Sequence, residues 1–364
     1  MKFNSYKPLR LIELFCGIGA QAKALTNLGI KYEHWLACDF DKYAIQSYNA
    51  VHGTNFNPSD ITKLTASDLN ITDTDHYNYL LTYSFPCQSL SNAGKGEGMA
   101  KGSGTSSGLL WEVERLLNEC TELPQVLLME NVPQVHGKKH INDFNKWIDF
   151  LESKGYSNYW KDLNAKDYGI PQKRNRCFMV SILERDCSSV YGFPKPIDLT
   201  LTLGDLLEKE VDEKYYLSNE ALDKMTNWKS FQNPLDKVLG CESVSPTITT
   251  RIAISDGGGI NASTKLYSHK LTNEQSLRTG YHDLDIRYYT PRDCWLLMGF
   301  GVEDYLKAKQ AIYKLPLTDN QKDGCLYKQA GNSIVVNVLM AIFKELFVPK
   351  QTRSEWLDEL LGGV

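Results

Sequence analysis

Short apolar runs alternate with stretches of helical period through the first half of the chain, a pattern that predicts a parallel sheet covered by helices on both faces. Residues 10–15 (RLIELF) read as a strand, and residues 20–28 (AQAKALTNL) as a helix closed by Gly29. Residues 34–38 form the next strand, whose end presents Asp39 and Asp41, and residues 43–48 open another helix. Residues 79–84 and 126–130 are further strands. Between them lies the Gly-, Ser- and Lys-rich stretch 91–107, too long and polar for a tight connection and so either a mobile lid or a plain flexible loop. An amphipathic helix follows over 109–117 (LLWEVERLL).

From Val190 the character changes. Pro194 and Pro196 punctuate the chain, helical periodicity weakens, and Gly257 to Gly259 break a strand-like region over 247–254. Regular pattern returns over 287–300 and again over 331–347, where Ile334, Val335, Val338, Leu339, Ile342, Phe343 and Leu346 make a helical stripe of the kind that packs a core. This divides the chain into a first part at 1–189, a second domain at 190–286 and a return segment at 287–364.

A length of 364 residues with 42% apolar content is enough for two domains with real cores, and no run approaches membrane-spanning length. Glu13 interrupts the apolar stretch near the N-terminus, which speaks against a signal peptide or an anchor. The formal net charge of -4 gives no global attraction to nucleic acid, so any such contact needs a local basic face. Nine cysteines without a CxxC pair or regular spacing argue against a zinc site or a disulfide framework. They point to free thiols in a reducing compartment, and hence to a cytoplasmic protein with no metal.

The candidate chemistry sits at strand ends. Cys87 lies between Pro86 and Gln88 in the run 84–90 (SFPCQSL), and Glu130, Asn131 and Val132 follow after the next strand. A free cysteine is often just a small buried side chain, but the proline before it and Gln88, Ser89 and Ser91 after it put this thiol at the mouth of a strand. Glu130 ends an apolar strand and should point into the same cleft. A thiol and a carboxyl so placed can work on one flat heterocycle, the thiol entering at a ring carbon while the acid supports the neighbouring ring nitrogen.

Upstream, residues 13–20 (ELFCGIGA) supply a glycine turn at the carboxyl end of the first strand, where open sheets bind ligands. Such a pair is as often a mere turn, and its spacing does not favour a nicotinamide cofactor. Asp39 is placed to accept hydrogen bonds from ribose hydroxyls; Asp41 has the commoner role of a helix N-cap. Asp60, near the expected end of a third strand, either meets an adenine amino group or stands in a solvated loop. Arg174 and Arg176, in residues 172–176 (QKRNR), alternate on extended chain and can both face the cleft with Asn175 turned away.

Taken together these runs resemble the DNA (cytosine-5)-methyltransferases of bacteria and phages, in family order along nearly the whole chain. The matching runs are ELFCGIGA, CDFDKY at 38–43, residues 60–62, SFPCQSLS at 84–91, SGLLW at 107–111, MENV at 129–132, QKRNR, RYYTPRDCWLLMGF at 287–300 and QAGNSIV at 329–335. The chain departs from the family at Asp39, where Glu is frequent, and at Ala20, where Gly is. The resemblance implies an α/β fold, a Rossmann-like, mostly parallel sheet with helices on both faces, plus a smaller irregular target-recognition domain.

The same resemblance implies that S-adenosylmethionine is held by Phe15, Gly17, Gly19, Asp39, Phe40, Asp60, Pro86, Asn332 and Ser333. Cys87 would attack carbon 6 of a cytosine flipped out of double-stranded DNA, Glu130 would assist at ring nitrogen 3, Arg176 would meet the base carbonyl and Arg174 would support the site. Gln88, Ser89, Thr247 and Arg251 fall on the DNA side, Thr247 and Ile248 resembling the family's Thr-Leu recognition element with Ile for Leu. A monomer is implied, with a cognate restriction endonuclease as partner where the enzyme belongs to a restriction-modification system.

Three other classes compete. A tRNA cytosine methyltransferase of the same fold lacks a large recognition region, whereas about a hundred residues separate Val190 from Arg287, a domain-sized insert. An inactive DNA-binding homologue would be expected to lose the thiol, the acid or the glycine turn, and this chain keeps all three. A nicotinamide dehydrogenase has no use for the PCQ and ENV runs.

Overall fold

The computed structural model describes residues 7–90, 97–183, 191–221, 238–250, 266–271 and 285–349. Six strands, β1 (Leu9–Leu14), β2 (Tyr32–Cys38), β3 (Asn78–Tyr83), β4 (Val126–Asn131), β5 (Tyr156–Asn164) and β6 (Asn175–Leu183), form one sheet in the order β2-β1-β3-β4-β6-β5. The first four run parallel, and β6 lies antiparallel to both β4 and β5. The pleat sorts the apolar runs onto two faces: Leu9, Leu11, Leu80, Val126, Leu128 and Val180 on one, Ile12, Leu14, Leu81, Leu127, Met129 and Met179 on the other.

Helices α1 (Ala20–Asn27), α2 (Lys42–His52), α3 (Leu110–Glu119), α4 (Ile141–Ser153), α5 (Pro291–Leu296), α6 (Val302–Tyr313), α7 (Asp319–Asn332) and α8 (Val336–Phe347) cover the sheet. On the second face, α3 and α4 bury Trp111, Leu116, Phe144, Trp147 and Leu151. The first face is closed by the return segment, with α8 against α1 and α6 against α2. Polar ties fix this docking: Lys23 Nζ lies 2.9 Å from Asp304 Oδ1, Ser47 Oγ donates to Gln329 Oε1 at 3.0 Å, and Gln329 Nε2 donates to the Tyr43 carbonyl at 2.9 Å.

Several expectations need correction. No strand ends near Asp60; residues 54–60 are irregular, and Asp60 instead caps the short 3₁₀ turn Ile61–Lys63. Of the strand-like region at 247–254, residues 247–250 are irregular and follow the pair Ser245–Pro246, which is parallel to Gln172–Lys173, whereas residues 251–254 and Gly257 to Gly259 lie outside the described residues. The stripe at 331–347 is not one helix, because α7 ends at Asn332 and α8 begins only at Val336. In the glycine-rich stretch, residues 91–96 lie outside the described residues, and residues 97–107 carry hydrogen bonds to the turn after β3 and to α3. The Gly98 N–H donates to the Ser89 carbonyl at 2.9 Å, Trp111 Nε1 to the Met99 carbonyl at 2.7 Å, and Ser107 Oγ to the Pro86 carbonyl at 2.6 Å.

Glu13 occupies the first face of β1 and is fully buried. Its Oε2 accepts from the Tyr48 hydroxyl at 2.5 Å and its Oε1 from the Ala22 N–H at 3.3 Å, while the same hydroxyl sits 2.9 Å from His34 Nδ1. Burial pushes this carboxyl up to about 7 from an ordinary 4.5, against the pull of the two hydrogen bonds. The folded chain therefore keeps a proton that the unfolded chain releases, and stability falls as pH rises from about 4.5 to about 7. At about 1.4 kcal/mol per pH unit the loss is on the order of 3 kcal/mol. Glu13→Gln should lack this component, so its stability relative to the native chain is expected to climb across that window and level off above pH 7. Urea unfolding of both proteins from pH 4.5 to 8 checks it; a difference that stays constant with pH would contradict it.

Candidate active site

The turn after β1 bends sharply, with positive φ at Phe15 (58°), Gly17 (54°) and Gly19 (77°). Gly17 is tied to the end of β2: its N–H donates to Asp39 Oδ2 at 2.9 Å, and the Asp41 N–H donates to Asp39 Oδ1 at 2.9 Å. Burial pushes the Asp39 carboxyl above its ordinary range, and these two N–H groups work against that. Gly19 has a steric reason, since a side-chain carbon there would overlap the His52 and Tyr48 rings. Asp41 caps α2 through the Tyr43 and Ala44 N–H groups and also pairs with Lys328 Nζ at 2.7 Å.

Cys87 follows β3 on a turn in which the Leu90 N–H donates to the Cys87 carbonyl at 3.0 Å. The neighbouring strand end is locked to that turn by Asn131, whose Nδ2 donates to the Phe85 carbonyl at 2.9 Å. Glu130, 8% exposed, carries Oε1 3.3 Å from Arg176 Nε. Its carboxyl is pushed up by burial, with Arg176 and Arg174 pulling down. The Cys87 thiol is raised by burial and by Glu130, again opposed by both arginines.

Arg174 is 4% exposed and forms the back wall. One terminal nitrogen donates to the Ile248 carbonyl at 2.7 Å, the other to the carbonyls of Gly331 and Ser333 at 3.0 and 2.7 Å. Burial, with Arg176 beside it, lowers the guanidinium to about 9, so it stays charged at neutral pH. Gln172 ties the Ile248 segment to the end of α5, donating through Nε2 to the Leu297 carbonyl at 2.7 Å and accepting from the Ile248 N–H at 2.9 Å. Gly331 has no room for a side chain, since a Cβ would lie 2.5 Å from the backbone of Thr249 and Thr250.

One cleft thus gathers Phe15, Gly17, Asp39, Phe40, Pro86, Cys87, Gln88, Glu130, Arg174, Arg176 and Asn332, all of them singled out from the sequence. Asn175, between the two arginines, is exposed, as the extended alternation requires. Gly19, Asp60, Ser89, Thr247 and Ser333 are not among the lining residues. Asp60 spends its carboxylate on the Thr62 N–H and hydroxyl, Ser89 approaches Ser106 Oγ at 3.2 Å, and Thr247 donates to the Lys173 carbonyl at 2.6 Å. Ser333 enters through its carbonyl on Arg174. Arg251 lies outside the described residues. The sequence reading missed Lys328, Gln329 and Gly331 as lining groups. The available signal was a lysine just ahead of the QAGN run, complementary to the acidic DFD run at the end of β2.

A family model described as C-5 cytosine-specific DNA methylase matches residues 9–348. The type II methyltransferase M2.ScrFI of Lactococcus lactis subsp. cremoris is 32% identical, over 93% of this chain and 99% of that protein. The orphan methyltransferase M.SssI of Spiroplasma monobiae is also 32% identical, over 94% of this chain and 98% of that protein. Among solved structures, the S. pombe Dnmt2 methyltransferase superposes with a TM-score of 0.69 over 94% of this chain and 98% of that chain; at 23% identity this likeness speaks to the fold. With a family model running through both the cleft and the return segment, and relatives above 30% identity over more than nine-tenths of its length, the chain belongs to the C-5 cytosine-specific DNA methylase family and is a DNA (cytosine-5-)-methyltransferase.

Proposed function

We propose that the chain transfers a methyl group from S-adenosylmethionine to carbon 5 of a cytosine flipped out of double-stranded DNA at a short specific site, through a covalent bond to Cys87. The observation that carries this reading is the meeting in one cleft of a half-buried thiol, a buried carboxyl and two guanidinium groups beside the glycine turn.

The turn end of the cleft fits a nucleoside. The Phe40 ring is 75% exposed at its edge, Phe15 lies in the lining, and each Asp39 oxygen has taken one backbone N–H and keeps a further lone pair for a ribose hydroxyl. Phe15, Gly17, Asp39 and Phe40 would hold the adenosine part of S-adenosylmethionine, with Pro86 and Asn332 further along the lining. When bound, this cofactor supplies a methyl group on a positively charged sulfur.

The chemistry of the chain's own groups follows from their environment. The raised Cys87 thiol carries its proton at rest, releases it to water on attack, and adds its sulfur to carbon 6, which opens the 5,6 double bond. Burial favours a protonated Glu130, which shares its own carboxyl proton with ring nitrogen 3 so that negative charge does not accumulate on the base. Arg176 orients Glu130 and reaches for the base carbonyl, while Arg174 keeps the cleft wall in place. Carbon 5 becomes nucleophilic and takes the methyl group, the methyl–sulfur bond breaking with its electron pair left on sulfur, and then loses its proton to water. Expulsion of Cys87 restores the aromatic ring.

Gln88, exposed in the lining, would face the DNA beside the flipped base, with the buried Ser89 bracing that turn through Ser106. In the segment after Ser245, Thr247 would help hold the recognition backbone through its bond to Lys173. The enzyme would act in the cytoplasm as a monomer. A restriction endonuclease would accompany it if it works as a type II enzyme like the Lactococcus relative's name, and none if it is an orphan like the Spiroplasma relative's.

Bisulfite sequencing of DNA from cells expressing the chain is expected to show 5-methylcytosine at one short recurring site. Cys87→Ala, shown to be folded, should leave none, because loss of a covalent step costs several orders of magnitude in rate. Residual turnover within about tenfold of the native chain would overturn the covalent reading. Asp39→Ala should raise the Michaelis constant for S-adenosylmethionine by about tenfold or more with a smaller effect on kcat, as expected for a lost cofactor contact. Steady-state kinetics checks this, and an unchanged Michaelis constant would remove Asp39 from the cofactor site.

A further inference from the structure

One residue beyond Arg176, on the opposite face of β6, the Cys177 side chain meets two others from neighbouring elements. In the sheet register Cys177 stands opposite Asn131 of β4 on one side and Asp162 of β5 on the other. Directly opposite residues of an antiparallel pair project from the same face, so Asp162 and Cys177 lie side by side. His136, at the end of the turn Pro133–His136 that follows β4, brings Nε2 to 2.9 Å from Asp162 Oδ1. The nitrogen, oxygen and sulfur donor atoms of the three residues all lie within 4.8 Å of one another.

We propose that His136, Asp162 and Cys177 form a binding site for a divalent cation of the zinc class, with solvent as the fourth ligand, separate from the methyl-transfer cleft. The donor set is what selects this chemistry. One imidazole, one carboxylate and one thiolate suit a borderline-soft ion that accepts three protein ligands, whereas magnesium and calcium take oxygen alone. With metal–ligand bonds of about 2.0 to 2.3 Å, the donors of a tetrahedral site stand about 3.5 Å apart. Closing the cluster therefore takes roughly 1 Å of side-chain movement.

The surroundings suit capture. Cys177 is fully buried and forms the floor, while the His136 and Asp162 side chains are 23% and 31% exposed and leave a path from solvent. The His136 ring stacks on Trp160 at 4.8 Å with 35° between the planes, which holds its orientation. Two of the three donors sit on adjacent strands of the central sheet, so little ordering is left to be done when the ion arrives. On binding, the Cys177 thiol releases its proton to solvent as the sulfur–metal bond forms, the proton between His136 Nε2 and Asp162 Oδ1 also leaves to solvent with the imidazole keeping one proton on Nδ1, and both freed atoms then bind the metal. Sequence spacing conceals the site, because its ligands are 26 and 15 residues apart in no zinc-binding pattern.

The full-length chain carrying Cys87→Ala, which removes the competing cleft thiol, is titrated with Zn²⁺ by calorimetry and with Co²⁺ by absorbance. The expected result is one equivalent bound and a near-ultraviolet thiolate-to-cobalt band. Adding Cys177→Ser should abolish the band and weaken Zn²⁺ binding by about tenfold or more, and His136→Ala should weaken it comparably. No saturable binding, or binding and spectrum unchanged in both variants, would overturn the assignment. If circular dichroism shows Cys177→Ser misfolded, His136→Ala and Asp162→Asn, at partly exposed side chains, decide by the same criterion.

Discussion

A single buried guanidinium, that of Arg174, holds the cleft in shape. It donates to Ile248, Gly331 and Ser333, three carbonyls from segments remote in sequence, and it lies against the strand that carries Arg176. Taking a guanidinium out of water is costly, and carbonyl acceptors together with the nearby Glu130 offset that cost. Removing it would strand three carbonyls, each worth about 1 to 3 kcal/mol when buried without a partner. Its carbonyl partners flank Asn332 in the lining and the backbone crossing of Thr249 over Gly331, where Gln172 also holds the Ile248 N–H.

The same burial biases the protonation of the groups proposed to react. Desolvation is the largest influence on Cys87, Glu130 and Arg174 alike, and the charges around them only moderate it. A thiol and a carboxyl both biased toward their neutral forms do not repel one another at rest. The arrangement favours a carboxyl that can give a hydrogen bond over one that can only accept, and in the proposed reaction thiolate formation waits for the moment of attack. Two arginines close to one carboxyl keep the bias from becoming absolute.

The sequence displayed the central strands because their apolar runs are buried on both faces, and it displayed the site because cysteine, glutamate and glycine sit at strand ends. It concealed what depends on distant contacts. The edge strand β5 (YSNYWKDLN) has no clean alternation, since much of it faces solvent and the structure recognises it through its pairing with β6. Asp60 looked like the end of a strand because an acid before a β-branched pair reads that way, yet it caps a turn. The apolar stripe of the return segment ran across the break at Ser333 to Val335, because burial continues there while the helical hydrogen bonds stop. Glu13 read as an interruption of an apolar strand, and it is the Tyr48 hydroxyl from α2 and the Ala22 N–H of α1 that account for it.

The central claim is a bond between the Cys87 sulfur and carbon 6 of a cytosine. Fluorine at carbon 5 cannot leave as a proton, so on a base carrying it the methylated adduct has no route to release Cys87. Double-stranded DNA with 5-fluorocytosine at every cytosine, incubated with the enzyme and S-adenosylmethionine, should give a protein–DNA species that survives denaturant, with the DNA mapped by peptide mass spectrometry to Cys87. Methylation of ordinary DNA without any trapped species on the fluorinated duplex, or a trapped species on another cysteine, would contradict the account.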